Sequence, residues 1–325
     1  MNEPAAQIAS DVDNPLSAAF RDTPITKTPV QNRGRLQAVA TAGVAVLAAV
    51  LGACSSGGAS SSSTPATLRF GIGPYQPTAT DTRKAWEPFF AYVAKQVGAK
   101  YELEVTNDFG GIAVALGSKK VDLAWLGPYG YVIANHSGGA KAIATANYDG
   151  KPVYHSIVIG PPDSPVRNYP DDAKGMSMSF AEVDSTSGWL VPTYFLKTRN
   201  IDPHTWFKYS EGAAHPAQET AVAARKVDLA TDYDRNRTAM IEGGEIKDGD
   251  TKVVWTSPDL PNDAIAVRSG LSPSLAKKLQ EVITKITPEQ AATLLPKHYD
   301  GFVVATDDTY KIIRDAATSL NKLAG

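Results

Sequence analysis

One cysteine, Cys54, stands in the whole 325-residue chain, so no intramolecular disulfide can staple it and no cysteine cluster can hold a metal. Histidine is nearly as sparse. His136, His155, His204 and His298 are scattered without the spacing of metal ligands, which leaves no cofactor or metal to expect from them. An excess of one charge is also missing: 32 basic and 34 acidic residues leave a net charge of -2, so no global field draws nucleic acid and any anion binding must be local. The chain carries no P-loop and no dinucleotide fingerprint. The Gly-x-Ser-x-Gly elbow of serine hydrolases is absent as well, since Ser187 has Ser185 two residues before it and Trp189 two after. No repeat suggests a solenoid. Long apolar runs are few, and the clearest, residues 36–51, is shorter than the roughly 20 residues a spanning helix needs.

That run follows Arg33 and Arg35 and ends in Gly52 and Ala53, the layout of a signal peptide with a small-residue cleavage site; a short anchor that stays in the membrane is the alternative. Leu51-Gly52-Ala53-Cys54 resembles the lipobox of bacterial lipoproteins, in which the cysteine becomes the lipidated first residue. Lipid on Cys54 accounts for both its presence and its solitude in an exported chain. Residues 1–32 are polar and aperiodic, an unusually long lead or a misassigned start. After Cys54 a Ser/Gly/Ala run to Thr64 has the composition of a flexible tether. Residues 1–53 are therefore read as lead and signal peptide, and residues 54–66 as lipidated cysteine and tether.

The rest has the length of two compact lobes and repeats one grammar: apolar strand, irregular loop, helix. Strands are expected at residues 68–72, 101–105, 121–126, 176–180 and 227–230. A helix over 82–97 places Trp86, Phe89, Phe90 and Val93 on one face, and another is expected over 111–118. Loops rich in Gly, Pro, Tyr, Ser and Asp follow several of these strands, at the sheet edge where open α/β folds bind ligands. The grammar pauses at 154–159 and 253–267, which read as crossings between lobes. Residues 67–156 and 261–325 then form the first lobe and residues 157–260 the second, an α/β clamshell with mixed sheets, and the C-terminal helices, around 274–286 and 309–320, pack back on the first lobe.

Ser185-Thr186-Ser187-Gly188 is the most informative segment, because three hydroxyls immediately precede an apolar run, residues 189–196, that reads as the first turns of a helix. A helix start offers free N–H groups and a positive dipole end. One hydroxyl would suffice for a cap, which leaves two unexplained and favours an oxyanion site. His215 precedes a helix over 217–225 and by itself reads as a capping residue; Tyr75 and Tyr129 are either pocket walls or ordinary loop aromatics; Asp263, after Pro261 and Asn262, is either a site residue or a turn residue.

In this order and spacing, the segments Leu126-Gly127-Pro128-Tyr129, Tyr154-His155-Ser156, Asp184 to Gly188, His215 before Ala221-Val222-Ala223, Asp228 followed by 232–236, Ser257-Pro258 with Pro261-Asn262-Asp263, and Gly301-Phe302 before Tyr310 resemble the phosphonate-, phosphite- and phosphate-binding lipoproteins of ABC importers. The resemblance implies the type II periplasmic binding fold and a monomer that delivers its ligand to a permease and ATPase, anchored by lipid on the extracytoplasmic face. It also implies that Ser185, Thr186 and Ser187 hold the oxyanion, that His215 donates to it, and that Tyr75 and Tyr129 wall the pocket. Carboxylates near Asp234 and Asp263 would face the rest of the ligand, with Glu219 a weaker candidate. Such acids would suit an ammonium and favour 2-aminoethylphosphonate over phosphite. The rival functions are a ligand-sensing partner of a membrane kinase and a serine hydrolase, the latter disfavoured by the missing elbow.

Overall fold

A computed structural model describes residues 66–323; the signal run, Cys54 and the tether lie outside the described residues. The first lobe is built on a six-stranded sheet ordered β13-β4-β12-β3-β1-β2, from β1 (Thr67–Ile72), β2 (Lys100–Val105), β3 (Leu123–Leu126), β4 (Lys141–Tyr148), β12 (Ala264–Val267) and β13 (Tyr299–Val304). β1 lies parallel to both β2 and β3, whereas β12 runs antiparallel to β3 and β4. Helix α1 (Ala79–Val97) covers one face. Thr78 caps its start by accepting from the Asp81 N–H, and Gly98 ends it in the left-handed region at φ 80°, which only glycine adopts cheaply. Trp86, Phe89, Phe90, Val93 and Val97 of α1 are buried against Phe70, Trp125 and Phe302 in an aromatic-rich core. The other face takes α2 (Phe109–Gly117) and α3 (Pro128–Gly138).

The second lobe has a five-stranded sheet ordered β10-β6-β9-β7-β8, from β6 (Ser156–Gly160), β7 (Ser177–Ala181), β8 (Lys208–Ala213), β9 (Leu229–Tyr233) and β10 (Lys252–Thr256). Its helices include α4 (Val191–Thr198), α5 (Pro203–Trp206), α6 (His215–Ala223) and α7 (Asp234–Gly243). Two segments join the sheets, and between them β5 (Val153–Tyr154) and β11 (Leu260–Pro261) pair as a small antiparallel ribbon. The architecture is the two-lobed clamshell of the type II periplasmic binding fold.

Both crossings divide more finely than their apolar patterns suggest. The run 154–159 breaks at His155 into β5 and β6, and 253–267 resolves into β10 in one sheet, β11 in the ribbon and β12 in the other sheet. A run of apolar residues reports burial, and burial does not stop where a strand changes sheet. The C-terminal segment forms α8 (Pro273–Thr284), α9 (Pro288–Leu294) and α10 (Lys311–Ser319). The last of these packs on α3 of the first lobe, where the C-terminal helices are expected, and also touches α4 of the second. Ile313, Ala316 and Ala317 on its inner face join a core that reaches into both lobes.

Candidate functional site

The three hydroxyls sit at a wide helical turn. Residues Thr186–Leu190 close i to i+5 bonds, with the Leu190 N–H donating to the Ser185 carbonyl at 3.0 Å and the Val191 N–H to the Thr186 carbonyl, before α4 begins. Such π-type turns recur at functional sites because they widen the helix start. Ser185 caps the turn by accepting from the Gly188 N–H at 3.0 Å. Two hydroxyls from neighbouring strands take carbonyls of the turn: Ser156 of β6 donates to the Ser187 carbonyl at 2.6 Å, and Thr231 of β9 to the Gly188 carbonyl at 2.6 Å. The turn is thereby pinned to its own sheet, and its first N–H groups, like those of any helix start, have no intrahelical partner.

Across the cleft, the N–H of Tyr129 at the start of α3 donates to Thr186 Oγ1 at 2.9 Å, a bond between lobes. The Tyr154 hydroxyl lies within hydrogen-bond reach of the Thr186 and Ser187 hydroxyls, so an arriving anion would take over their O–H donors from it. His215 opens α6, and its Nε2 lies 3.0 Å from Ser185 Oγ. Its Nδ1 is 2.9 Å from Asp232 Oδ1 but out of line for a hydrogen bond. Burial lowers the His215 pKa to about 4, so the ring is neutral at ordinary pH. Asp232 and Glu219 behind it are pushed up to about 7 and about 8, chiefly by burial, and in the case of Glu219 next by the charge of Asp232.

Ser185, Thr186, Ser187, His215, Tyr75 and Asp263 all line one small cavity of about 40 Å³ between the lobes. Tyr75 stands against Trp86, Phe109 and Trp125, with its buried hydroxyl directed to Asp263. Asp263 accepts from Trp125 Nε1 at 3.1 Å and from the Tyr299 hydroxyl at 3.4 Å. Two expected residues are placed differently. Tyr129 contributes its backbone N–H while its ring is buried in the core and does not line the cavity. Asp234 turns away, accepting from the His155 backbone N–H at 3.1 Å and contacting His155 Nδ1 at 2.8 Å. Glu219 also stays behind the wall, where it accepts from Thr251 Oγ1 at 3.0 Å.

Sequence reasoning missed Arg235, Tyr154 and Tyr233, which join the lining together with Phe109, Gly127, Gly130 and Asp184. The signal was faint. In Asp232-Tyr233-Asp234-Arg235 the chain passes from β9 straight into α7, so alternation no longer tells which side chain points inward. Asp232 goes back to His215, Asp234 outward to His155, and Tyr233 and Arg235 to the cavity.

Ser185, His215 and Asp232 trace the outline of a hydrolase triad. Burial raises Asp232 instead of leaving it a fixed anion behind the histidine, and Ser185 serves as a helix cap. Comparison with known proteins points the same way. The profile of the family described as ABC transporter, phosphonate, periplasmic substrate-binding protein matches residues 70–310. The phosphonates-binding periplasmic protein of Escherichia coli K12 is 32% identical over 256 residues, covering 77% of this chain and 75% of that protein. The phosphate-import protein PhnD of Mycolicibacterium smegmatis is 28% identical over 264 residues, covering 76% and 81% respectively. Among solved structures, a binding-protein component of a Pseudomonas aeruginosa ABC phosphonate transporter superposes with a TM-score of 0.70 at 28% identity, over 79% of this chain and 87% of that one. PhnD1 of Prochlorococcus marinus, in complex with methylphosphonate, shares the fold with a TM-score of 0.70 at 20% identity, over 80% of this chain and all of that one. The chain therefore belongs to the periplasmic substrate-binding proteins of phosphonate ABC transporters, a family of binding components and not of enzymes.

Proposed function

We propose that this solute-binding component captures a small phosphorus oxyanion between its lobes, on the hydroxyls of Ser185, Thr186 and Ser187, the N–H groups of their turn and the edge of His215. The observation that carries this reading is the convergence of these donors on one cavity walled by both lobes. Donors held by a rigid turn need little reorganisation when an anion arrives, and each hydrogen bond to a charged group contributes roughly 1.5 to 3 kcal/mol. The names of two relatives, one for phosphonates and one for phosphate import, agree with a phosphorus oxyanion. The working unit is taken as a monomer with residues 67–156 and 261–325 in one lobe and 157–260 in the other. Lipid on Cys54 would hold it on the extracytoplasmic face beside its permease and ATPase.

Replacing Thr186 and Ser187 together by alanine is expected to weaken binding of phosphate and methylphosphonate by about two orders of magnitude or more, from the loss of two charge-assisted bonds. The helix cap survives, since Ser185 supplies it, while loss of the acceptor for the buried Tyr129 N–H should lower stability by about 1 to 3 kcal/mol, far short of unfolding the protein. Calorimetry on the double variant, beside its melting curve, checks this. Wild-type affinity in the variant would reduce the segment to a helix cap.

A further inference from the structure

The cavity wall contributed by α7 carries a cation. Arg235 is 7% exposed, and its guanidinium carbon lies 4.7 Å from the ring centroid of Tyr154, 5.2 Å from Tyr148, 5.7 Å from Tyr233 and 5.8 Å from Tyr299. Aromatic faces attract a cation most strongly where water is excluded. One Nη donates to Asn262 Oδ1 at 2.6 Å, the other stands 3.7 Å from Asp263 Oδ2, and Nε has no partner. A buried guanidinium with an idle donor is costly unless an acceptor completes it. Asp263, for its part, is already engaged by Arg235, Trp125, Tyr299 and Tyr75 and is not a free counter-ion.

We propose that Arg235 and Asp263 together set the ligand class: a phosphorus oxyanion that keeps a proton on one oxygen and carries no cationic group, with inorganic phosphate as its probe. This rests on the reading of the cavity as an oxyanion site. Arg235 gives charge-assisted donors to the anion, and Asp263, whose pKa burial raises and the adjacent Arg235 guanidinium draws back down, takes the hydrogen bond of the P–O–H group in its ionised form. Sulfate has the same shape but no proton at neutral pH, so one of its oxygens would face the carboxylate with nothing between them. An aminated phosphonate fares badly for the opposite reason, because its ammonium would lie beside Arg235. The other acids nearby, Asp184 on the cavity and Glu182 on the adjoining cleft, belong to the segment that leads into the hydroxyl turn and do not stand opposite it.

The test is calorimetry at pH 7 with phosphate, sulfate, methylphosphonate and 2-aminoethylphosphonate. Phosphate is expected to bind at least about 100-fold more tightly than either sulfate or 2-aminoethylphosphonate, the scale on which an unpaired buried polar group rejects a ligand. Arg235→Gln should weaken phosphate about 10- to 100-fold, with Arg235→Lys intermediate, while Asp263→Asn should narrow the preference for phosphate over sulfate. The wild-type comparison stands even if a variant fails to fold. Binding of 2-aminoethylphosphonate as tight as that of phosphate, or an unchanged phosphate-to-sulfate ratio in an Asp263→Asn protein with wild-type melting, would overturn the assignment and leave the oxyanion site standing. Failure of all four anions to bind would overturn the oxyanion reading itself.

Discussion

Gly188 is the residue at which the hydroxyl turn leaves no space. A Cβ there would come 2.3 Å from the Ala181 Cβ and 2.7 Å from His215 Cε1, the first a strand-end atom with nowhere to go and the second the ring that lines the site. Gly188→Ala must therefore displace α6 or the turn, and in either case the 3.0 Å approach of His215 to Ser185 opens. The expected result is a drop in melting temperature of several degrees together with at least tenfold weaker phosphate binding, measured by scanning calorimetry and titration on the same sample. At this scale the sequence was legible where chemistry was concentrated in a run: three adjacent hydroxyls and a glycine needed no tertiary information to stand out. It was illegible at Arg235. An arginine beside two aspartates reads as a solvated charge cluster, and only the convergence of four tyrosines from four different strands makes it a buried cation.

At the scale of elements, α6 packs on β9 with Glu219 and Asp232 facing each other in the interior, both buried and both raised. Groups that hold protons more tightly in the folded state give a stability that is full below their unfolded pKa and lost as pH rises through the folded values, here about 7 and about 8. His215, lowered to about 4, works in the other direction, losing stability as pH falls from about 6.5 toward 4. Below pH ~6.5 the two trends oppose each other; above it the carboxylates act, and His155 and His298, both raised by hydrogen bonds to carboxylates, lose stabilisation in the same direction, so a Glu219 variant isolates the carboxylate share. The ligand-free protein should therefore lose melting temperature between pH 6.5 and 8.5. Glu219→Gln, which keeps an acceptor for Thr251 and can donate to Asp232, should flatten that slope. Melting curves across the range, with the variant as the comparison, check it, and an equal slope in both proteins would mean the pair is not the source. The helices themselves were largely legible, because α1 announces its face through Trp86, Phe89, Phe90 and Val93 and its end through Gly98. The wide turn before α4 was not, since nothing in the local spacing of Thr186 to Leu190 separates i+5 from i+4 bonding.

For the molecule as a whole, the lobes are linked at the ribbon of β5 and β11, at the Tyr129 to Thr186 bond and through α10, which rests on helices of both lobes. Retention at the membrane is a separate matter of covalent attachment. If lipid on Cys54 holds the protein there, Cys54→Ser should yield folded, exported protein that binds phosphate with wild-type affinity and appears in the soluble fraction. Fractionation with immunodetection checks this, and wild-type recovery in the membrane pellet would assign retention to the apolar run instead.

The sequence by itself determined the two-lobed α/β organisation, the lone cysteine after an apolar run, and the hydroxyl run as the segment to examine for an anion site. Each of these is written in contiguous residues: a period, a composition, or a run of donors. Tertiary structure alone decided which carboxylates reach the cavity and what faces the turn across it. Asp234 and Arg235 are neighbours at the start of α7, yet one meets His155 and the other enters a tyrosine cage with Asp263, 28 residues further along the chain. A helix start turns successive side chains through about 100°, so a shift of one position there exchanges an acid for a base at the ligand. Local sequence does not fix that angle; it is set by where β9 ends and by what the first lobe packs against it.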